Sequence, residues 1–143
     1  MKTRRGMGVV IIFMALFFVS ACTKNEPMPL TKKNILSYLQ KMGEYSQSIT
    51  IKETESAKGD EKKRAEMLRR ILAKAEEDMG YNYDKTIRIA ATKIIEKDYP
   101  ATDFEMQNSL IAMVLLPVQL REELVKLNII SRETKEVLDK IKI

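Results

Sequence analysis

The sequence has no histidine, no tryptophan and a single cysteine, Cys22. Without an imidazole it can hold neither a Ser-His-Asp nor a Cys-His catalytic arrangement, and no histidine can serve as a metal ligand. One thiol forms neither an intrachain disulfide nor a cysteine-rich zinc site. The five glycines do not form a phosphate-cradling loop motif. No catalytic site, metal site or bound cofactor is predicted, and paired carboxylates are the catalytic arrangement that these absences leave open.

The remaining composition is typical of a folded domain. The chain has 143 residues, of which 45% are hydrophobic and 31% are charged. This length suits one domain, and the hydrophobic fraction is too high for a wholly disordered chain. The formal net charge is +5, from 25 basic and 20 acidic residues. Basic and acidic residues are interleaved along the chain, which argues against a nucleic-acid-binding surface.

The first 22 residues carry the clearest signal. Three basic residues, Lys2, Arg4 and Arg5, are followed by 18 uncharged residues with an apolar centre. A basic start, an apolar segment and small residues at its end are typical of a secretory signal peptide. An uncleaved transmembrane helix is the alternative, because 18 uncharged residues lie at the edge of the length needed to span a bilayer.

The segment ends in Val19-Ser20-Ala21-Cys22, which resembles the lipobox of bacterial lipoproteins: an aliphatic residue, two small residues and a cysteine. The resemblance covers residues 1–22 and implies cleavage between Ala21 and Cys22. It also implies a diacylglycerol on the Cys22 sulfur, an acyl chain on the new amino group, and no other cofactor. A plain secretion signal with an incidental cysteine is a further alternative.

The residue after the cysteine bears on localisation. In the lipoprotein family, an aspartate at that position tends to retain the protein at the inner membrane of Gram-negative bacteria. Thr23 stands there in this chain, so the resemblance implies the outer membrane, facing the periplasm. In a Gram-positive cell, the same signal would place the protein on the outer face of the plasma membrane. Removal of residues 1–21 would leave 22 basic and 20 acidic residues, so most of the basic excess belongs to the signal.

The mature chain divides into a short tether and a helical domain. Residues 22–30 contain two prolines and no helical periodicity, which predicts an extended, lipidated tether. Residues 31–143 repeat apolar residues at helical spacing, and we expect five to six helices in a small irregular all-α bundle. The predicted helix starts are residues with capping side chains, or a proline at the first turn: Thr31, Asp60, Asp84, Thr102, Pro117 and Ser131.

Other local patterns complete the predicted fold. Gly80 and Asn128 are expected to end two helices in the left-handed conformation. Residues 46–59 are polar and are predicted as a loop, with a helix extension or a short strand as alternatives. The apolar run Leu110–Leu116 covers the whole circumference of a helix, so we expect it to be buried on all sides. Large apolar residues concentrate near the C-terminus, which predicts a C-terminal core with the first helix loosely attached.

Surface charge and aromatic residues supply the candidates for partner binding. Arg69 and Arg70 belong to a strongly charged helix face, with basic residues near its start and acidic residues near its end, against the helix dipole. Tyr81 and Tyr83 stand in the polar turn that follows. A solvated face of mixed ion pairs is the alternative for the arginines, and packing across a helix–helix corner is the alternative for the tyrosines. Any incompletely buried part of Leu110–Leu127 would join this surface as a groove for a partner helix.

These features predict a lipid-anchored cell-envelope protein that binds a protein partner at the membrane surface as a non-catalytic accessory or adaptor subunit. The architecture is similar to that of small helical lipoproteins such as the secretion pilotins, although no motif ties the chain to that group. No nucleic acid and no small-molecule substrate are predicted. A small envelope enzyme that uses paired carboxylates, and a structural lipoprotein without a specific partner, are the alternatives.

Overall fold

The structure, a computed structural model, describes residues 26–141. Within this range it contains seven helices and no strand. The signal peptide, Ala21, Cys22 and Thr23 lie outside the described residues. The helices are α1 (Lys32–Ser46), α2 (Ile51–Ser56), α3 (Glu61–Met79), α4 (Tyr83–Glu96), α5 (Phe104–Val114), α6 (Val118–Lys126) and α7 (Arg132–Asp139). None of these seven helices has the length and apolar character needed to cross a membrane. The predicted all-α bundle is confirmed, with more helices than expected.

Three of the predicted helix starts are confirmed by capping hydrogen bonds. The side chains of Thr31, Asp60 and Ser131 accept hydrogen bonds from backbone N–H groups three residues later, at 3.2, 3.1 and 3.1 Å. Each cap satisfies a donor that the first turn of a helix leaves without an intrahelical partner. Gly80 (φ 70°) and Asn128 (φ 60°) adopt the predicted left-handed conformation at the ends of α3 and α6.

Two predicted starts are wrong by one or two residues. Helix α4 is capped by Asn82, whose side chain accepts the N–H three residues later at 2.9 Å. Asp84 instead accepts the Ser131 N–H at 2.7 Å, which ties the first turn of α4 to the start of α7. Helix α5 is capped by Asp103 at 3.0 Å rather than by Thr102. Asn82 and Asp103 are both strong capping residues, and the Asp84 side chain is engaged by Ser131 instead.

The segment predicted as a loop, residues 46–59, contains the additional helix α2. Thr50 and Glu53 form a reciprocal capping box, in which the Thr50 hydroxyl accepts the Glu53 N–H at 3.1 Å and the Glu53 carboxylate accepts the Thr50 N–H at 3.2 Å. This exchange satisfies two backbone donors and supports a helix of only six residues. The strand alternative for this segment is therefore wrong.

The core is built around α4, which packs against α5 and α7, while α3 packs against α1 and α6. Helix α1 also contacts α5, and its residues Ile35 and Tyr38 are buried. The first helix is therefore an integral part of the core, although its apolar content predicted a looser attachment. Ion pairs join neighbouring helices across the surface, such as Arg88 with Glu133 at 2.7 Å between α4 and α7.

Residues 26–30, here called the strap, are docked on the helical bundle. The Met28 N–H donates to the buried Thr86 hydroxyl at 2.9 Å, and the Asn82 N–H donates to the Glu26 carbonyl at 2.7 Å. The Met28 side chain is buried and belongs to the core. The segment predicted as an extended tether is thus packed against α4 over its described part.

Candidate partner-binding groove

Both tyrosines predicted as partner contacts lie in the core. Tyr81 and Tyr83 are 4% and 1% exposed, and the Tyr81 ring meets the ring of Tyr38 edge to face, with 6.3 Å between centroids. The side chains pack across the corner between α3 and α4, which is the alternative that the sequence left open. Because neither side chain reaches the surface, both are withdrawn from the candidate partner-binding set.

The hydroxyl groups of these tyrosines are buried along with the rings. Neither Tyr81 Oη nor Tyr83 Oη makes a hydrogen bond of ordinary geometry within residues 26–141. Burial raises the pKa of both phenols well above the ordinary tyrosine value, so both stay neutral. The Tyr81 hydroxyl therefore costs desolvation free energy without a hydrogen bond in return, whereas the Tyr83 hydroxyl interacts with that of Tyr38.

We expect Tyr81→Phe to leave the free energy of unfolding unchanged or to raise it by up to about 1 kcal/mol, because an unpaired buried hydroxyl is removed and the ring is kept. Urea denaturation followed by circular dichroism measures the change. The control Tyr81→Leu removes the ring contact as well and should be destabilising by about 1–3 kcal/mol. A clear loss of stability in Tyr81→Phe would show that the hydroxyl is satisfied in solution.

Arg69 and Arg70 remain on the surface, as predicted from their helix face. Arg69 Nε donates to Glu66 at 2.9 Å within α3, and Arg70 lies 3.5 Å from the Glu53 carboxylate on α2. These exposed ion pairs fit the solvated-face alternative, and such pairs contribute little to stability. Both arginines stay accessible, since their side chains are 41% and 56% exposed.

Large apolar side chains are exposed where α5 meets α6. Leu115 is 60% exposed and Val118 is 67% exposed, on either side of Pro117. Helix α5 ends before Leu115, so this side chain turns outward while the next one, Leu116, turns into the core. The expectation that Leu110–Leu116 is buried on all sides is therefore wrong: α5 leaves Ile111 half-buried and Ala112 exposed, and the run leaves the helix at Leu115.

Pro117 separates the two helices. A residue before proline is disfavoured in the helical region, so α5 does not continue through Leu116. Pro117, predicted as the first residue of this helix, is its N-cap, so α6 begins one residue later than expected. The Leu116 carbonyl, which lies outside both helices, accepts a hydrogen bond from Arg121 Nε at 3.1 Å. Arg121 Nη1 in turn donates to Asp139 at 2.8 Å, so α7 braces the junction between α5 and α6.

The interaction between Arg121 and Asp139 predicts that the stability of the protein depends on pH. Hydrogen bonds from Lys135 and Arg121 hold the pKa of the Asp139 carboxyl below its ordinary value. A lowered pKa in the folded state means that the contribution to stability is present above the unfolded-state pKa and is lost as pH falls through the folded-state pKa. Asp139→Asn should therefore destabilise the protein at about pH 7, by less than about 1 kcal/mol because the carboxylate is partly solvated.

Urea midpoints of the wild type and Asp139→Asn at about pH 7 and about pH 2.5 would measure this dependence. We expect the difference between the two proteins to shrink in acid, where the wild-type carboxyl is protonated. A difference that does not change with pH would contradict the ion-pair contribution.

Two concave depressions flank the exposed junction. The larger one, here called the groove, has a volume of about 460 Å³ and is bounded by α2, α3 and the α5–α6 junction. The smaller one, of about 410 Å³, shares Leu115 and Pro117 with the groove and extends toward Ile141. The groove carries Glu55, Lys58 and Arg64 at its charged rim. Its apolar lining consists of Ile49, Ala57, Met67, Leu68, Ile71, Leu115, Pro117 and Leu120.

The sequence pattern located one wall of the groove and missed the other. Leu115 and Leu120 fall within Leu110–Leu127, the range whose exposed part was predicted to contribute to a binding surface. The opposite wall includes α2, which was missed because residues 46–59 were predicted as a loop. A threonine followed three residues later by a glutamate, Thr50 and Glu53, was the signal that could have revealed this helix.

Comparisons with protein-family models, curated proteins and solved structures found no match to this chain. Within residues 26–141, no group of three or more His, Cys, Asp or Glu side chains is placed to hold a metal ion.

Proposed function

We propose that this chain is a lipid-anchored cell-envelope protein that acts as a non-catalytic adaptor and binds a protein partner through the groove. The lipobox-like residues 19–22 support the anchor. The exposure of Leu115 and Val118 beside an apolar concave surface is the observation that carries the binding role. Clustered apolar side chains at a concave surface commonly mark a site where another molecule binds.

The docked strap determines how far the domain can move from a lipidated Cys22. Four peptide units separate Cys22 from Glu26, and an extended chain spans at most about 3.6 Å per residue. The docked residue Glu26 therefore stays within about 14 Å of Cys22. This confinement raises the effective concentration of the groove near a partner in the same membrane. Thr23 after the cysteine favours the outer membrane of a Gram-negative cell, facing the periplasm, or the outer face of the plasma membrane in a Gram-positive cell.

Intact mass spectrometry of the purified protein tests the anchor. The wild type should have the mass of residues 22–143 plus one diacylglyceryl group and one acyl chain. Cys22→Ser should carry neither the lipid mass nor label from palmitate supplied to the cells, because the thiol nucleophile is gone. Ser20→Ala is the control, since it keeps a small residue before the cysteine and should be processed like the wild type. Affinity copurification from solubilised membranes then identifies the partner.

Each alternative has a distinct outcome. An unlipidated wild-type mass of all 143 residues would mean that the apolar segment is an uncleaved membrane anchor. A cleaved chain without lipid would mean plain secretion. If the anchor is present but no protein copurifies with the wild type in a way that depends on Leu115, the adaptor role is overturned and a structural lipoprotein becomes the better description.

A further inference from the structure

The first turn of α3 concentrates positive charge where the helix dipole disfavours it. Lys62, Lys63 and Arg64 follow the N-cap Asp60, and the N-terminus of a helix carries a partial positive charge. None of these three side chains has an ion-pair partner within residues 26–141. Lys58, in the turn before α3, adds a fourth cation without an ion pair in the same part of the chain.

Nearby acidic residues do not balance this charge. Glu53 and Glu66 are already paired with Arg70 and Arg69. Glu55, Asp60 and Glu61 supply three further carboxylates near the four cations, so the excess is one positive charge. Positive side chains near the N-terminus of a helix interact unfavourably with its dipole, and an anionic group nearby lessens that cost.

The same cations border the apolar groove. Lys58 and Arg64 lie on its rim, and Lys62 and Lys63 line an adjoining depression of about 340 Å³. The two depressions share Ala57 and Met67, so the apolar floor of the groove is continuous with an edge that carries three cations and two carboxylates. Such a surface is complementary to a helix that has an apolar face and an acidic flank.

We propose that the groove binds one face of an amphipathic helix of the partner protein, with acidic residues along the edge of that face that meet the cations at the start of α3. This inference rests on the adaptor role proposed above and states the chemistry of the partner. A volume of about 460 Å³ accommodates a few large apolar side chains, which are what one helix presents at positions i, i+3 or i+4, and i+7. The acidic flank supplies ion-pair partners, which these cations lack within the described residues.

The position of the strap favours a protein over the membrane as the occupant. The strap is bonded to Asn82, which follows the C-terminal end of α3, whereas the groove uses the N-terminal half of that helix. Arg64 and Met79 are 15 residues apart on α3, or about 22 Å along the helix axis. The anchor therefore holds one end of α3, and the basic rim of the groove lies at the other.

Binding of two synthetic helices of about 18 residues tests this inference. Both peptides carry the same leucine face, and one has glutamates and the other lysines along the flanks. Fluorescence anisotropy is measured with the mature lipidated protein in phosphatidylcholine nanodiscs, and empty nanodiscs correct for binding to lipid. The glutamate peptide should bind at least about tenfold more tightly than the lysine peptide. This preference should weaken as salt is added.

Charge reversal provides the matched comparison. Lys62→Glu with Lys63→Glu should reverse the preference between the two peptides. Lys33→Glu with Lys140→Glu changes the net charge equally at exposed positions outside the groove and should leave the preference unchanged. Leu115→Asn with Val118→Asn changes two exposed side chains at the junction, so the bundle should stay folded while binding of both peptides weakens.

Several outcomes would overturn the inference. Equal binding of the two peptides would reject the acidic flank, and capture of phosphatidylglycerol vesicles in preference to either peptide would assign the surface to a lipid membrane. Self-association of the protein that Lys62→Glu with Lys63→Glu abolishes would assign the surface to a second copy of this chain. If the peptide preference is absent but Leu115-dependent copurification of a partner persists, the helix is rejected and the adaptor role stands.

Discussion

Leu110→Ala should lower the free energy of unfolding by about 3 kcal/mol, whereas Leu115→Ala should change it by less than about 0.5 kcal/mol. Both leucines belong to the same apolar run, but Leu110 is fully buried on α5 and Leu115 is 60% exposed at the junction with α6. Truncation of Leu110 leaves a cavity in a close-packed core. Truncation of Leu115 removes surface that is already largely in contact with water.

Partner binding should be weakened by Leu115→Ala more than by Leu110→Ala, which is the opposite of the order expected for stability. Leu115→Ala removes a side chain that lines both depressions and should reduce the copurified partner at least about tenfold. Leu110→Ala leaves the lining residues in place, and it should retain the partner under conditions in which the variant is folded. Quantitative mass spectrometry of the copurified proteins measures this, and urea denaturation measures stability.

The two variants control for each other. A large loss of stability in Leu115→Ala would show that this side chain is covered in solution. Full retention of the partner by Leu115→Ala would show that the groove is not the binding surface. Only the crossed result, with stability lost in one variant and binding in the other, agrees with the described geometry.

Helix positions were largely predictable from the sequence because their signals are local. The side chains of Thr31, Asp60 and Ser131 cap helices through bonds to residues three positions away, and such spacing is visible in the sequence. Asp84 and Asn82 show where this method fails. Both can cap a helix, but Asp84 bonds to the N–H of Ser131, a residue 47 positions later, and that contact is set only by the tertiary fold.

The groove was only partly predictable for the same reason. Exposure of Leu115 depends on Pro117 interrupting the helix, a local effect that the apolar run of the sequence obscured. The facing wall comes from residues 49–71, more than forty positions away in the chain. Tyr81 and Tyr83 were placed in a polar turn by sequence, yet their burial follows from the approach of α1, which brings Tyr38 against Tyr81.

Thr86→Val is expected to release the strap and to lower the free energy of unfolding by about 2 kcal/mol. Thr86 is fully buried, and its hydroxyl accepts the Met28 N–H at 2.9 Å while it donates to the Asn82 carbonyl at 2.6 Å. Valine has nearly the same shape but can make neither bond. The Met28 N–H would then be left in the core without a partner, at a cost of about 1–3 kcal/mol unless the strap moves into water.

Thr92→Val is the matched control. Thr92 lies on the same helix, and its hydroxyl donates to the Arg88 carbonyl four residues earlier, as the Thr86 hydroxyl does to Asn82. No strap N–H donates to Thr92 within the described residues. Loss of this side-chain hydrogen bond alone should lower the free energy of unfolding by less than about 0.5 kcal/mol, because the carbonyl keeps its backbone hydrogen bond within the helix. The difference between the two variants therefore isolates the bond to Met28.

Hydrogen exchange at the Met28 amide reports strap release directly. The amide should be protected in the wild type and in Thr92→Val, and it should exchange rapidly in Thr86→Val.

Release of residues 26–30 would also lengthen the free chain between Cys22 and the bundle, from about 14 Å to about 32 Å when extended. Glu96→Cys offers a labelling site at the far end of α4 from the strap, and lipidation of Cys22 leaves no other thiol to react. Quenchers attached to lipid headgroups reduce the fluorescence of this label to an extent that depends on its distance from the membrane. This extent should differ from the wild-type value in Thr86→Val and equal it in Thr92→Val. If the Met28 amide stays protected in Thr86→Val, the Met28 side chain and the Glu26–Asn82 bond are sufficient to hold the strap, and the quenching should match that of the wild type.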